Sequence, residues 1–357
     1  MSGFGFLDIL TICLYLLLIW GIKPNNGIIS KSNYLAKDKM LAIRGIAVLV
    51  PILSHIYSSG VDGGVSILKL SDHSEFAPCM FFVISGYGLM KQNLIKEDYS
   101  KGFLLKRFPK VLVPYILATL AFVAANFVFN GFLYGPGDII HAILCGDPIV
   151  KFSWYVIHIL LFYLWFFILM KICGKKKGLL IAGGVVYYVA TTIVFMKLGF
   201  GMHWWGTTFG LVEGMIFAVC ESQIYDFFHK KFGMKFAMVL TTLIVILFAE
   251  APIINATGLG NYFPQHAVFD LLLCASMFIF LVGAKIGNPV TRFLGKYSYE
   301  IYLLQGLFIL AGRSDKMQLS GNVFIVFVLA GAVVSGIVLY YIDDFILNKI
   351  IYKKARQ

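Results

Sequence analysis

Charged residues are scarce in this chain: they make up 13% of its 357 residues, and only 18 of them are acidic. A soluble domain usually carries about 25% charged residues, so the composition excludes a cytosolic enzyme, and it is too apolar for a disordered protein. The six cysteines include no C-x-x-C pair, which argues against a zinc or redox motif and against a disulfide-rich secreted domain. We interpret the cysteines as small apolar packing residues and predict no metal site.

Hydrophobic residues, by contrast, reach 59%. A single soluble core stops growing beyond about 250–300 residues, so lipid is the predicted solvent for most of this chain. A spanning helix needs about 20 mostly apolar residues, and eleven runs meet or approach that length, which predicts an all-α, polytopic membrane helical bundle of about eleven transmembrane helices. The runs are 4–22, 41–59, 76–92, 111–131, 153–172, 178–198, 206–220, 236–253, 267–286, 298–312 and 322–347.

The basic residues predict the orientation of the bundle. With the N-terminus outside, all of the 30 Lys and Arg residues fall on the inner side except Lys69, Lys151, Lys197, Arg313 and Lys316. This bias follows the positive-inside rule, so we expect a multi-pass cell-membrane protein with a cytoplasmic C-terminus. The rule also accounts for the net charge of +12 without a nucleic-acid partner. The loops are too short to fold alone, which predicts a single membrane domain over residues 1–357.

Polar side chains at membrane depth are costly, and each is a functional candidate. Arg44 and His55 stand eleven residues apart in the second run, a spacing that places both on one helix face and about 16 Å apart along the axis. Pro51 lies between them and predicts a kink. Taken singly, Arg44 could serve as an interfacial anchor and His55 as a packing residue, without any function in catalysis. Their position on one helix face favours a joint functional role.

Other polar and aromatic residues allow two interpretations. Ser85 and Tyr87 are candidates for a site on the third run, although small residues there also serve helix packing. Glu213 lies inside a G-x-x-x-G step, Arg107 belongs to a basic cluster at the inner face, and Trp154 fits a binding site as well as an aromatic belt.

Six segments along the chain resemble the acyltransferase type 3 family of bacterial membrane acyltransferases, and they occur in the same order as in that family. The resemblance spans about residues 38–345, which leaves 4–22 as an additional helix before a core of ten. At the position of Gln305 the family often has histidine. The matching segments are Arg44-Gly-Ile-Ala through His55, FFVISGYG at 81–88, Lys106-Arg107 through Pro114-Tyr115, Ser153-Trp154-Tyr155, FGLVEGMIFA at 209–218 and LGKYSYEIYLL at 294–304.

The resemblance implies movement of an acyl group, commonly acetyl, from cytoplasmic acyl-CoA to a hydroxyl of an extracytoplasmic or lipid-linked glycan. The partners it implies are acyl-CoA as co-substrate, the glycan acceptor and the lipid bilayer; no permanently bound cofactor is expected, and the oligomeric state stays open. We expect His55 to act as general base, with a covalent acyl-His or acyl-Ser intermediate as an open alternative. The predicted catalytic residues are His55, Ser85 and Glu213, and the predicted substrate-binding or acyl-CoA-binding residues are Arg44, Arg107, Tyr87, Trp154 and Tyr302.

The alternative function is a non-enzymatic exporter or flippase of a lipid-linked sugar. It needs the same basic inner face and polar interior, but it has no use for a thioester, so dependence on acyl-CoA discriminates between the two. A purely structural membrane subunit would leave His55, Ser85 and Glu213 without a purpose.

Overall fold

The computed structural model describes residues 6–24, 37–61, 75–257 and 265–351. Within these ranges the chain forms fourteen α-helices, a short 3-10 helix at Met202–Trp204, a π-helical turn at Ile346–Ile351 and one pair of two-residue strands. The loop at 62–74 and the tail beyond 351 lie outside the described residues. The helices are α1 (Phe6–Ile19), α2 (Lys37–Ser58), α3 (Phe76–Ile95), α4 (Phe103–Asn130), α5 (Pro136–Leu144), α6 (Trp154–Cys173), α7 (Lys177–Lys197), α8 (Gly210–Val219), α9 (Glu221–His229), α10 (Phe232–Thr257), α11 (Gln265–Gly283), α12 (Pro289–Lys296), α13 (Ser298–Arg313) and α14 (Gly321–Phe345).

The predicted all-α membrane architecture is confirmed, and each of the eleven apolar runs falls on a helix. Among the described residues, α2, α4, α6, α7 and α14 are long and apolar enough to cross a membrane, and α8 and parts of α10 and α11 are shorter apolar helices. The run at 206–220 contains a turn followed by the ten residues of α8, which rise only about 15 Å. A count of eleven spans therefore stays a prediction.

The surface of α4 explains why the bundle needs lipid around it. Leu112, Ile116, Leu120 and Phe127 are all exposed, and their spacing places them along one side of the helix. A water-soluble protein rarely exposes so long an apolar stripe. In a bilayer the same stripe faces hydrocarbon at no cost.

Helix α2 lies inside the bundle and packs closely on α12. A Cβ atom added at Gly295 would lie 1.7 Å from the Leu41 carbonyl oxygen, and one at Gly45 would lie 1.9 Å from the Thr291 carbonyl oxygen. Only glycine allows the two backbones to approach this closely. The contact fixes the end of α2 that carries Arg44.

Helices α3 and α8 are held together in the same way. A Cβ at Gly86 would lie 1.9 Å from the Leu211 carbonyl oxygen, and one at Gly214 would lie 2.0 Å from the Val83 carbonyl oxygen. Helix packing thus accounts for the small residues beside Ser85 and Glu213.

The additional N-terminal helix α1 is attached to the core through backbone contacts. Strand β1 (Lys23–Pro24), directly after α1, pairs antiparallel with β2 (Ala284–Lys285). The Asn288 side chain donates to the carbonyl oxygens of Leu17, at 2.7 Å, and Trp20, at 3.1 Å. The sequence did not predict this strand pair, because two residues are too few to produce an alternating pattern.

Candidate active site

Tyr302 of α13 lines two cavities in the described part of the bundle. The first, which we name the Arg44 cavity, has a volume of about 340 Å³. The second, the His55 cavity, has a volume of about 380 Å³. Tyr302 is 3% exposed, so it stands as a buried divider between the two spaces. The polar residues of the Arg44 cavity include Arg44, Ser85, Lys110, Lys296, Glu300 and Asp343, and those of the His55 cavity include His55, Glu75, Asp147, Lys151, Ser153, Trp154 and His203.

Helix α2 supplies one titratable side chain to each cavity. Arg44 lines the first and His55 lines the second, and α2 continues through Pro51 between them. Eleven residues of helix correspond to a rise of about 16 Å. A ligand that extends from Arg44 to His55 therefore has to pass the divider at Tyr302.

The imidazole of His55 is held on two sides. Its Nδ1 lies 3.2 Å from Oε1 of Gln305, which is fully buried on α13. The ring of Phe152 stacks on it, with 3.5 Å between centroids and an angle of 10° between planes. Both contacts restrict the rotation of the imidazole and leave its Nε2 edge as the side available to a ligand.

Phe152 connects this histidine to the divider. The Tyr302 hydroxyl donates a hydrogen bond to the Phe152 carbonyl oxygen. The φ angle of Phe152 is 67°, in the left-handed region that residues other than glycine seldom adopt. Such strained conformations persist where surrounding contacts enforce them, and they cluster at functional sites.

The Arg44 cavity combines cations with buried carboxylates. Lys110 and Lys296 line it together with Arg44, and the Lys296 ammonium lies over the rings of neighbouring tyrosines, 5.0 Å from the centroid of Tyr340. Glu300 and Asp343 are 6% and 5% exposed, and each has one oxygen without a hydrogen-bond partner among the described residues. The cavity thus offers both anion-binding and hydrogen-bond-accepting groups.

The His55 cavity has an aromatic and a charged wall. Trp154 contacts His203 edge to face, with 5.9 Å between centroids, and Lys151 donates to Asp147 at 2.9 Å. His203 lies in the 3-10 helix, outside the spanning segments. Burial lowers the pKa of His203, and the nearby Asp147 opposes that shift, so its imidazole is neutral at pH 7.

The structure brings five of the predicted site residues to the cavities, namely Arg44, His55, Ser85, Trp154 and Tyr302.

Three other predicted site residues line neither cavity. Arg107 donates to the Tyr99 hydroxyl at 2.8 Å, and the Tyr87 hydroxyl accepts from Lys91 at 2.7 Å. Neither oxygen of the Glu213 carboxyl group, which belongs to α8, has a hydrogen-bond partner within the described ranges.

Sequence reasoning did not select several residues that line the cavities or contact His55. Gln305 lies three residues after Tyr302, a helical spacing that puts both on one face, so the spacing was an available signal. Lys110 and Lys296 belong to segments that resemble the family, but the sequence analysis did not choose them as site residues. Phe152 gave no signal, because its role depends on contacts with residues far away in the chain.

Comparisons with known proteins assign the family. A family model described as an acyltransferase domain matches residues 39–341. The chain thus belongs to the acyltransferase type 3 family and is a multi-pass membrane acyltransferase. It is also 24% identical, over 292 residues, to a protein of Acidianus two-tailed virus that carries the provisional name acetyltransferase; the match covers 76% of this chain and 83% of the relative. No solved structure gives a significant match.

Proposed function

We propose that this protein transfers an acyl group, acetyl in particular, from cytoplasmic acyl-CoA to a hydroxyl of an extracytoplasmic or lipid-linked glycan. One observation carries the proposal: a single helix, α2, offers an arginine to one cavity and a histidine to the other. A long, thin substrate such as acyl-CoA reaches from one to the other. Membership of the acyltransferase family supports the group transfer itself.

The Arg44 cavity holds the CoA moiety in this proposal. Arg44, Lys110 and Lys296 supply positive charge for the phosphates through charge-assisted hydrogen bonds. The unpartnered oxygens of Glu300 and Asp343 accept from the amide N–H groups of pantetheine. The pantetheine arm then extends along α2 and brings the thioester to the divider at Tyr302.

The reaction takes place at His55. The neutral imidazole removes the proton from the acceptor hydroxyl while that oxygen attacks the thioester carbonyl. The carbon–sulfur bond then breaks, and the imidazolium returns the proton to the CoA thiolate, so protons and charge balance. Ser85, which lines the Arg44 cavity, is the candidate donor to the developing oxyanion in a site shielded from bulk water.

The acceptor glycan enters the His55 cavity. Trp154 offers an apolar ring face, and Asp147, Lys151 and His203 offer hydrogen-bonding groups. This mixture of one aromatic wall and several polar groups suits a polyhydroxylated ligand.

Purified protein reconstituted in vesicles tests the proposal. Acetyl-CoA labelled in the acetyl group is supplied to one face and candidate glycans to the other, and label on the glycan is measured. We expect transfer that requires acetyl-CoA on the face of the Arg44 cavity. Movement of a lipid-linked sugar across the vesicle without consumption of acyl-CoA would instead establish the exporter or flippase function and overturn the proposal.

A further inference from the structure

The side-chain amide of Gln305 lies within hydrogen-bond distance of the His55 imidazole. Gln305 is fully buried, and its Oε1 lies 3.2 Å from His55 Nδ1. We infer that Gln305 is a positioning residue that holds His55 in the Nδ1–H tautomer and thereby keeps Nε2 free as the proton acceptor. This inference rests on the proposed role of His55 as general base.

The tautomer follows from the chemistry of the two atoms. An amide oxygen only accepts hydrogen bonds, so the contact forms only when Nδ1 carries the proton. A neutral imidazole holds one proton, which leaves a lone pair on Nε2. His55 is half-buried and lines the cavity, so Nε2 is the nitrogen that an acceptor hydroxyl can reach.

Packing keeps this arrangement rigid. A Cβ added at Gly306 would lie 3.1 Å from Lys151 Cβ and 3.4 Å from the Phe152 ring, so α13 touches the segment that carries Phe152. The Phe152 ring in turn stacks on His55. The ring plane and the hydrogen bond are therefore fixed by two neighbouring positions of one helix and by the segment packed on it.

Gln305 is neutral, which sets it apart from the carboxylate that often orients a catalytic histidine. A carboxylate would stabilise the imidazolium through its negative charge, and a neutral amide lacks that charge. An amide at this position therefore keeps His55 competent as a base at lower pH. The other titratable groups that line the His55 cavity are Glu75, Asp147, Lys151, His203 and Tyr302.

The variant Gln305→Glu tests this inference through the pH dependence of transfer. A carboxylate next to Nδ1 favours the protonated imidazole, so the midpoint of the acid limb of kcat should move to higher pH by about one unit or more. The variant Gln305→Leu removes the acceptor and should lower kcat by about 10-fold to 100-fold, with the affinity for acetyl-CoA unchanged, because orientation and tautomer are lost while the Arg44 cavity is intact.

The matched control is Asn93→Leu. Asn93 is a buried carboxamide that donates to the Gly174 carbonyl oxygen at 3.0 Å, and it lines neither cavity. Its loss should alter stability but not the midpoint of the acid limb. A shift confined to the Gln305 variant thus separates positioning from a general structural effect.

A spectroscopic measurement addresses the tautomer directly. The ¹⁵N chemical shifts of labelled histidine distinguish protonated from unprotonated ring nitrogens, and the His55 signals are those missing from His55→Ala. We expect a protonated Nδ1 and an unprotonated Nε2 in the native protein.

Two results would overturn the inference: a proton on Nε2 in the native protein, or an acid limb that does not move in a folded Gln305→Glu variant. Failure of the proposed role of His55 looks different, since His55→Ala would then retain transfer. Failure of the proposed function would leave the native protein itself without acyl transfer.

Discussion

Replacement of His55 by alanine tests the chemistry most directly. Loss of a general base usually costs about 10²–10⁴-fold in rate. We expect a loss near the middle of that range, about 10³-fold, which corresponds to roughly 4 kcal/mol of transition-state stabilisation. The structure supports this estimate because Gln305 cannot take over as a base and Asp147 is already paired with Lys151.

The affinity for acetyl-CoA should survive the same change. His55 does not line the cavity that contains Arg44, and about 16 Å of helix separates the two residues. His55→Gln should behave like His55→Ala, because an amide keeps the size but accepts no proton near pH 7. In the native protein, transfer should fall only in clearly acid buffer, where the imidazole becomes protonated.

The assay measures label transferred per minute, beside calorimetric binding of acetyl-CoA to each variant. His141→Ala is the matched control, since it removes an imidazole on α5 that lines neither cavity and should change the rate less than tenfold. A His55→Ala variant that transfers at more than about a tenth of the native rate refutes the reasoning, because even the smallest expected effect is larger. The chemistry would then be sought at Ser85 or Glu213.

Three further predictions concern binding, packing and orientation. Arg44→Ala should weaken the affinity for acetyl-CoA, and Arg44→Lys should restore it in part because the charge survives without the planar fork; calorimetry that finds native affinity in a folded Arg44→Ala protein contradicts this. Gly295→Ala should destabilise the fold by about 1–3 kcal/mol, as overpacking does, whereas Gly178→Ala, which meets no atom within 4 Å, should leave the melting temperature equal or higher. A reporter at the C-terminus should read as cytoplasmic and one before Phe4 as external; the same side for both would mean an even number of spans.

Hydropathy predicted the location of the helices well, because the cost of exposing backbone polar groups to lipid forces every apolar run of this length into a helix. It predicted their ability to cross the bilayer less well. The run at 206–220 is mostly apolar, yet it contains a turn before α8 begins at Gly210. Gly214 of this short helix lies in close contact with α3. The hydrophobic pattern of a segment describes that segment alone and carries no information about the helices that pack on it.

The sequence predicted only those features of the candidate site that depend on residues of the same helix. The spacing of Arg44 and His55 is a property of α2 alone, so helix geometry placed them. The stacking of Phe152 on His55 joins the segment before α6 to α2 and α13, and such contacts depend on the tertiary fold. Glu213 shows a different limit of sequence-based prediction. The sequence identifies a carboxyl group in an apolar run, but the cost of burying that group does not reveal which cavity, if any, it faces.

The divider at Tyr302 also has an electrical consequence. In the proposed arrangement the two cavities reach into the membrane from opposite sides and shorten the insulating path, so much of the membrane potential would fall across the thin layer formed by Tyr302 and Phe152. Moving one elementary charge across 100 mV involves about 2.3 kcal/mol. In the proposed reaction the phosphates of CoA remain beside Arg44, and only the uncharged pantetheine arm and its acyl group pass the divider. Acyl transfer would thus proceed independently of the membrane potential, and the aromatic layer would keep ions from leaking along the same path.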